Sequence, residues 1–289
     1  MALWIALLLG IIQGLFMFIP VSSTAHLVIA QHWLIGAGHD LPAPDSAEMI
    51  LFDLVVHVGT LVSIVVVFWH SLFEFVRRIL SDTWQWLSEG GHAPWHYLFL
   101  RLFLLCLFSV LVTGIIGLSF KFFFERFFAN PVLVAGTLTL TGVLLWWTDR
   151  LRHLPVGLKR IRLGTAAWIG LAQGLSLVPG LSRSGMTITF ALLAGVKRRW
   201  AAQYSFFLAI PTILAATLVQ SVEVVTGNGL NGMSLTALSI GFVTAAVVGI
   251  AALKLVLALL YRARLRVFSF YLWLLAAAVL FGFLDAGTF

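Results

Sequence analysis

GIIQGLFMFIPVSSTAHL, residues 10–27, and GLAQGLSLVPGLSRSGMT, residues 170–187, read as two copies of one segment. A shift of 160 residues lays Gln13 on Gln173, Gly14 on Gly174, Leu15 on Leu175, Ser22 on Ser182 and Thr24 on Ser184. Pro20 precedes the first hydroxyl cluster and Pro179 the second. Both clusters sit inside apolar sequence. Hydrocarbon has no water to satisfy a broken backbone or a hydroxyl, so such a stretch at membrane depth must be buried in protein or line a cavity. Its occurrence twice points to paired half-helices meeting at one site.

Composition agrees with a membrane setting. Of 289 residues 61% are hydrophobic and only 10% charged, against roughly 25% charged in a soluble domain. The formal charge of +7 does not mark a nucleic-acid binder, because the basic residues fall in short loops rather than on one face. The first apolar stretch lacks a preceding Lys or Arg and a clear cleavage site, so it reads as a retained helix rather than a signal peptide. Cys106 stands alone, which excludes an internal disulfide and a cysteine-based metal cluster.

A span needs roughly 17–25 mostly apolar residues. Windows of that kind occur near 49–69, 102–118, 131–148, 204–222, 234–253 and 267–284. The doubled segments differ: after each Pro-and-hydroxyl turn comes a limb too short to cross, 27–35 in one copy and 188–196 in the other. Each reads as a re-entrant helical hairpin. The expectation is therefore an all-α integral membrane protein of about six transmembrane helices plus two re-entrant hairpins.

With that assignment the loop charges separate. Arg77, Arg78, the basic residues from Arg150 to Arg162, those from Lys197 to Arg199 and those from Arg262 to Arg266 fall on one side, thirteen in all, against Lys121 and Arg126 on the other. The positive-inside rule makes the first side cytoplasmic and puts both termini outside. The hairpins then enter from opposite faces, an inverted-topology repeat with its site near the midplane. Phe52-Asp53 with Gly59-Thr60 matches Tyr204-Ser205 with Pro211-Thr212 at a shift of 152, which agrees. The halves are residues 1–150 and 160–289, one membrane domain, since neither half buries its hydroxyl loop alone.

Arg183 lies between Ser182 and Ser184 in a Gly-bounded turn that opens a helix. A guanidinium fork beside free helix-start N–H groups suits an anion. The plainer reading is an arginine that snorkels to the surface; the cost of intramembrane charge favours phosphate binding. Ser22, Ser23, Thr24 and His26 supply three hydroxyls and an imidazole. Ser23 and His26, three apart, share a face if a helix begins at the turn, and could act as nucleophile and base, or His26 could itself attack phosphorus. Helix capping is the plainer role for the Ser-Ser-Thr run and is compatible with catalysis. Asp53 and His57 lie one turn apart. Asp53 could bind a cation or orient a histidine, or could sit at headgroup level, and the sequence leaves both open.

These residues resemble the bacitracin-resistance family of undecaprenyl-diphosphate phosphatases over almost the whole chain. The resemblance rests on PVSST-x-H at 20–26, FD-x-x-x-H-x-GT at 52–60, PG-x-SRSG-x-T at 179–187 and FFLAIP at 206–211. It implies an inverted-repeat membrane fold, removal of the terminal phosphate from a polyprenyl diphosphate at the outer face of the bacterial inner membrane for recycling of the cell-wall lipid carrier, and a divalent cation, Mg²⁺ or Ca²⁺. One motif departs, at two positions. The family's first loop reads E-x-x-x-E before the proline, carboxylates held to assist catalysis and metal binding; here Gln13 and Met17 stand there, which weakens the case for a cation.

The expected function is thus a polyprenyl-diphosphate phosphatase, with Ser23, His26 and Arg183 catalytic. Ser22, Thr24, Gln13, Gln173, Ser182, Ser184 and Thr187 are expected to bind substrate, and Asp53 is the metal candidate. The partners are the lipid and the bilayer, with nucleic acid excluded and pairing as a homodimer left open. The rival is a polyprenyl-phosphate binding or flipping protein, since broken helices in inverted repeats also serve alternating access.

Overall fold

A computed structural model describes the backbone of residues 1–89, 93–128, 131–178, 180–226 and 233–281, and the side chains there except at 89, 118, 120–128, 131 and 223. Within those residues the chain is all α, in eleven helices. The first three are α1 (Leu3–Phe18), α2 (Ser23–Gly36) and α3 (Ala47–Val67); then come α4 (Trp69–Glu89), α5 (Leu98–Phe128), α6 (Pro131–Thr148) and α7 (Leu163–Leu175). The last four are α8 (Arg183–Leu193), α9 (Arg198–Thr226), α10 (Leu235–Tyr261) and α11 (Arg266–Leu280).

Among the described residues four stretches are long and apolar enough to cross a membrane: Ala47–Val67, Leu98–Gly117, Arg198–Thr226 and Leu235–Tyr261. They match four of the six expected windows. The other two fall on shorter apolar helices, Val132–Thr148 and Arg266–Leu280; the last window's end, beyond 281, lies outside the described residues, as do Pro179 and the side chains of Lys121 and Arg126.

Small residues let the helices approach. A Cβ added at Gly10 or Gly14 of α1 would stand 2.8 Å from the Gly241 carbonyl oxygen or 2.7 Å from that of Ala245, both on α10. One at Gly170 of α7 would stand 2.6 Å from the Ser109 carbonyl oxygen on α5. In lipid, where apolar burial gives no drive between helices, backbone approach of this kind supplies the packing. The partners follow a crossed pattern. α1 and α3 pack on α10, α7 and α9 on α5, α3 on α9, and α6 on α11.

Helix α4 coincides with none of the apolar windows of the sequence. Its polar and apolar residues alternate at helical period, so no window averages apolar. Trp69, Phe73, Leu80, Trp84 and Leu87 form an exposed stripe, while Arg77 and Arg78 both pair with Glu74 at 2.8 and 2.5 Å. Asp82 then accepts the backbone N–H groups of Phe99 and Leu100 at 2.7 and 3.2 Å, which caps α5 and complements its positive end. At α11 Asp149 does the same for Leu265 and Arg266, at 3.0 and 2.8 Å.

Candidate active site

The first loop forms because Pro20 follows directly on the end of α1, where a ring without an N–H cannot continue the helix. Ile19 turns extended, Val21 N–H donates to the Ile19 carbonyl at 2.8 Å, and Ser22 takes φ +70° before α2 begins. The second loop makes its turn with glycine. Leu181 N–H donates to the Val178 carbonyl at 3.1 Å while Gly180 takes φ +84°, the value a type II turn needs at its third residue. Ser182 then caps α8, its Oγ accepting from Gly185 N–H at 3.3 Å. Ser22 makes no such cap on α2.

The two loops meet. Ser184 Oγ donates to the Phe18 carbonyl at 3.3 Å, and a Cβ on Gly185 would lie 3.1 Å from Pro20 Cβ. Arg183 Nη2 points at Met17 Sδ, 3.6 Å away. Gln13 Nε2 points at the same sulfur, also at 3.6 Å. Thr187 shares a 2.5 Å hydrogen bond with Ser205 on α9. Between them lies a cavity of about 10 Å³ lined by Met17, Phe18, Ile64, Arg183, Ser184, Ser205, Phe206 and Ala209, close to the room one water needs. Among the described residues no carboxylate pairs with Arg183.

His26 faces elsewhere. Its Nδ1 lies 2.7 Å from the Ser22 carbonyl and its Nε2 2.5 Å from Tyr271 Oη on α11. A carbonyl only accepts, so Nδ1 carries the proton and, in the neutral ring, Tyr271 O–H donates to Nε2. Phe16 stacks on the imidazole at 4.0 Å. This face opens into a groove of about 340 Å³ lined by Ile12, Phe16, His26, Ile29, Ala30, Trp33, Tyr271 and Leu275. Both ring nitrogens being engaged, His26 is not the base for Ser23 in this arrangement. Ser23 is half-buried and Thr24 exposed.

The remaining expected residues divide. Gln173 is buried and donates to Thr113 and Thr212 at 3.3 and 2.9 Å, which ties α7 to α5 and α9 away from the cavity. Asp53 Oδ1 accepts from Gln31 Nε2 at 3.2 Å, and the Asp53 carbonyl accepts from His57 Nδ1 at 2.7 Å. Among the described residues no group of three or more His, Cys, Asp or Glu could hold a metal ion. Ser205, Phe206, Gln31 and Tyr271 were not singled out as site residues from sequence. Ser205 carried a signal, because the shift of 152 lays it on Asp53; Tyr271 carried none, being one aromatic among many in an apolar helix.

The model of the Bacitracin resistance protein BacA family matches residues 6–278. This chain belongs to the bacitracin-resistance protein family. A protein of Alkalilimnicola ehrlichii named undecaprenyl-diphosphatase is 62% identical over 285 residues, covering 99% of this chain and 98% of its own. One of the same name from Halorhodospira halophila is 61% identical, with 99% of each covered. A third, from Carboxydothermus hydrogenoformans, is 35% identical, with 95% of each covered. The family match spans both hydroxyl loops.

Proposed function

We propose that the protein is an undecaprenyl-diphosphatase of the bacterial inner membrane, releasing the terminal phosphate of a polyprenyl diphosphate. The observation that carries this reading is the contact of the two loops around Arg183, with Ser184 and Ser205 lining the same cavity and the Gln13 amide pointing at the Met17 sulfur that Arg183 also meets. Donors fixed in a water-poor pocket stabilise phosphoryl charge at no reorganisation cost. The adjoining groove suits the isoprenoid chain, since its lining is apolar apart from the His26–Tyr271 pair. The names of the full-length relatives support hydrolysis over lipid carriage.

In this reading α1–α2 and α7–α8 are re-entrant hairpins of an inverted repeat, with residues 1–150 and 160–289 as its halves. The lengths of α2 and α8, 14 and 11 residues, support hairpins, being short of a span. The crossed packing of α1 with α10 and α7 with α5 supports the repeat. Both termini lie outside the cytoplasm and the site opens to the outer face. Arg183, Ser182, Ser184, Thr187 and Gln13 hold the diphosphate. Because both nitrogens of His26 are taken, Ser23 is the better nucleophile. Its Oγ attacks the terminal phosphorus and its proton passes to a phosphate oxygen of the substrate. The bond to the bridging oxygen breaks to release polyprenyl phosphate, and water then hydrolyses the phosphoserine to free phosphate. Asp53, committed to Gln31, does not fit as the ligand of a divalent cation at Arg183, and no step is routed through one.

The test is phosphate release from undecaprenyl diphosphate by purified protein in detergent or nanodiscs. Steady release that disappears in Ser23→Ala and Arg183→Ala supports the reading. Absence of release across several divalent ions overturns it.

A further inference from the structure

Met17 occupies an unusual place. Two N–H donors from different helices, Gln13 Nε2 and Arg183 Nη2, converge on its sulfur at 3.6 Å each. A thioether is a weak acceptor, whereas a phosphate oxygen in the same spot would take two hydrogen bonds, one of them charge-assisted. The free space of about 10 Å³ cannot take a phosphate group while Met17 is there. Methionine is unbranched, with three rotatable bonds, and can leave such a position without disturbing the helix that carries it.

The electrostatics point the same way. The cavity lining contains one charged group, Arg183, and no carboxylate. Hard divalent cations take oxygen ligands, carboxylates foremost, and an uncompensated guanidinium repels them. Asp53, the partly buried carboxylate of α3, is held by Gln31 and does not line the cavity.

We propose that this pocket takes the substrate's phosphate without a protein-held divalent cation, Met17 swinging out from between Gln13 and Arg183 so that a phosphate oxygen accepts both donors. The proposal rests on the diphosphatase reading and deepens it: any Mg²⁺ reaches the site as a counter-ion of the diphosphate, and the anion's own contacts are with protein N–H and O–H groups.

Two measurements on the full-length protein test it. Pyrophosphate binding is followed by calorimetry in a chelator and in Mg²⁺, and Mn²⁺ binding by electron paramagnetic resonance without phosphate. The wild-type protein is expected to bind pyrophosphate within about threefold of the same affinity in both, and Arg183→Ala to weaken it by at least about tenfold, the loss of one charged hydrogen-bond donor. Wild type should show no stoichiometric Mn²⁺, while Met17→Glu, which sets a carboxylate in the same locus, should acquire a Mn²⁺ site. Collapse of pyrophosphate binding in chelator, or one tightly held Mn²⁺ per wild-type chain, overturns the proposal even if lipid hydrolysis proceeds. Cation-free pyrophosphate binding with no phosphate release from the lipid would instead leave the pocket standing and sink the enzymatic reading.

Discussion

Ser23 and Arg183 occupy the same register in the two loops, as do Gln13 and Gln173, Gly10 and Gly170, Ser22 and Ser182. Below the turns the copies behave alike: each first limb ends in a short break and backs a glycine onto a neighbouring helix. At the turns they part. The second loop satisfies itself, with Gly180 taking the positive φ and Ser182 capping α8. In the first loop the positive φ falls on Ser22, no side chain caps α2, and the Ser22 carbonyl is spent on His26. The glutamines part as well, Gln173 bracing α5 and α9 while Gln13 points at Met17, which lines the cavity. One copy forms a relaxed, capped turn; the other carries the strained one, which the proposed function makes the chemically active turn. Strain of this kind persists where surrounding structure over-determines it, and it gathers at functional sites.

The largest effect that probes this division is at Arg183. Arg183→Ala should cut kcat/KM for undecaprenyl diphosphate by about 100-fold or more, the loss typical of one preorganised donor to developing charge. Ser23→Ala should match it in kcat, although the two side chains differ in every chemical respect. A Ser23→Ala variant with full turnover would remove the active role from the first loop.

Next come the glycines, where the copies should agree. Gly10→Ala and Gly170→Ala each force a Cβ against a backbone carbonyl, at 2.8 and 2.6 Å, which no rotamer change relieves. Each should lower stability by about 1–3 kcal/mol, as overpacking does, read as a drop in thermal unfolding temperature in one detergent. A silent substitution at one position and a severe one at the other would break the likeness of the two limbs.

Much of this was legible beforehand, and the reasons are physical. Hydrophobic windows report burial in lipid, so the apolar helices could be read directly, and the Pro-and-hydroxyl breaks stood out because apolar surroundings punish them. Helix α4 was not legible, because an amphipathic helix averages to neutral. Of the cavity lining, Arg183 and Ser184 were readable from residue type alone. The split fate of the two glutamines was not, since both show the same local sequence and differ only in what the third dimension sets beside them. Tyr271 could not be found either: a contact across 245 residues leaves no local trace.

The smallest effects concern the two serines before the helices. Ser182→Ala removes a cap and should cost about 1 kcal/mol, whereas Ser22→Ala removes none and should cost only a few tenths. Ser22→Gly goes further. At φ +70° a residue with a Cβ bears a penalty of about 1–2 kcal/mol, and glycine's extra unfolded-state freedom returns only about 0.5–1 kcal/mol of the relief. The variant should therefore unfold slightly higher than wild type. Its turnover should fall, because a relaxed turn no longer fixes the carbonyl that orients His26 through Nδ1. Stability and activity moving in opposite directions at this one position, with neither shift at Ser182→Gly beyond the loss of its cap, is what a strained first loop and a relaxed second loop require. A drop in stability at Ser22→Gly would mean that the left-handed turn is comfortable, and the asymmetry would then rest on the glutamines and Met17 alone.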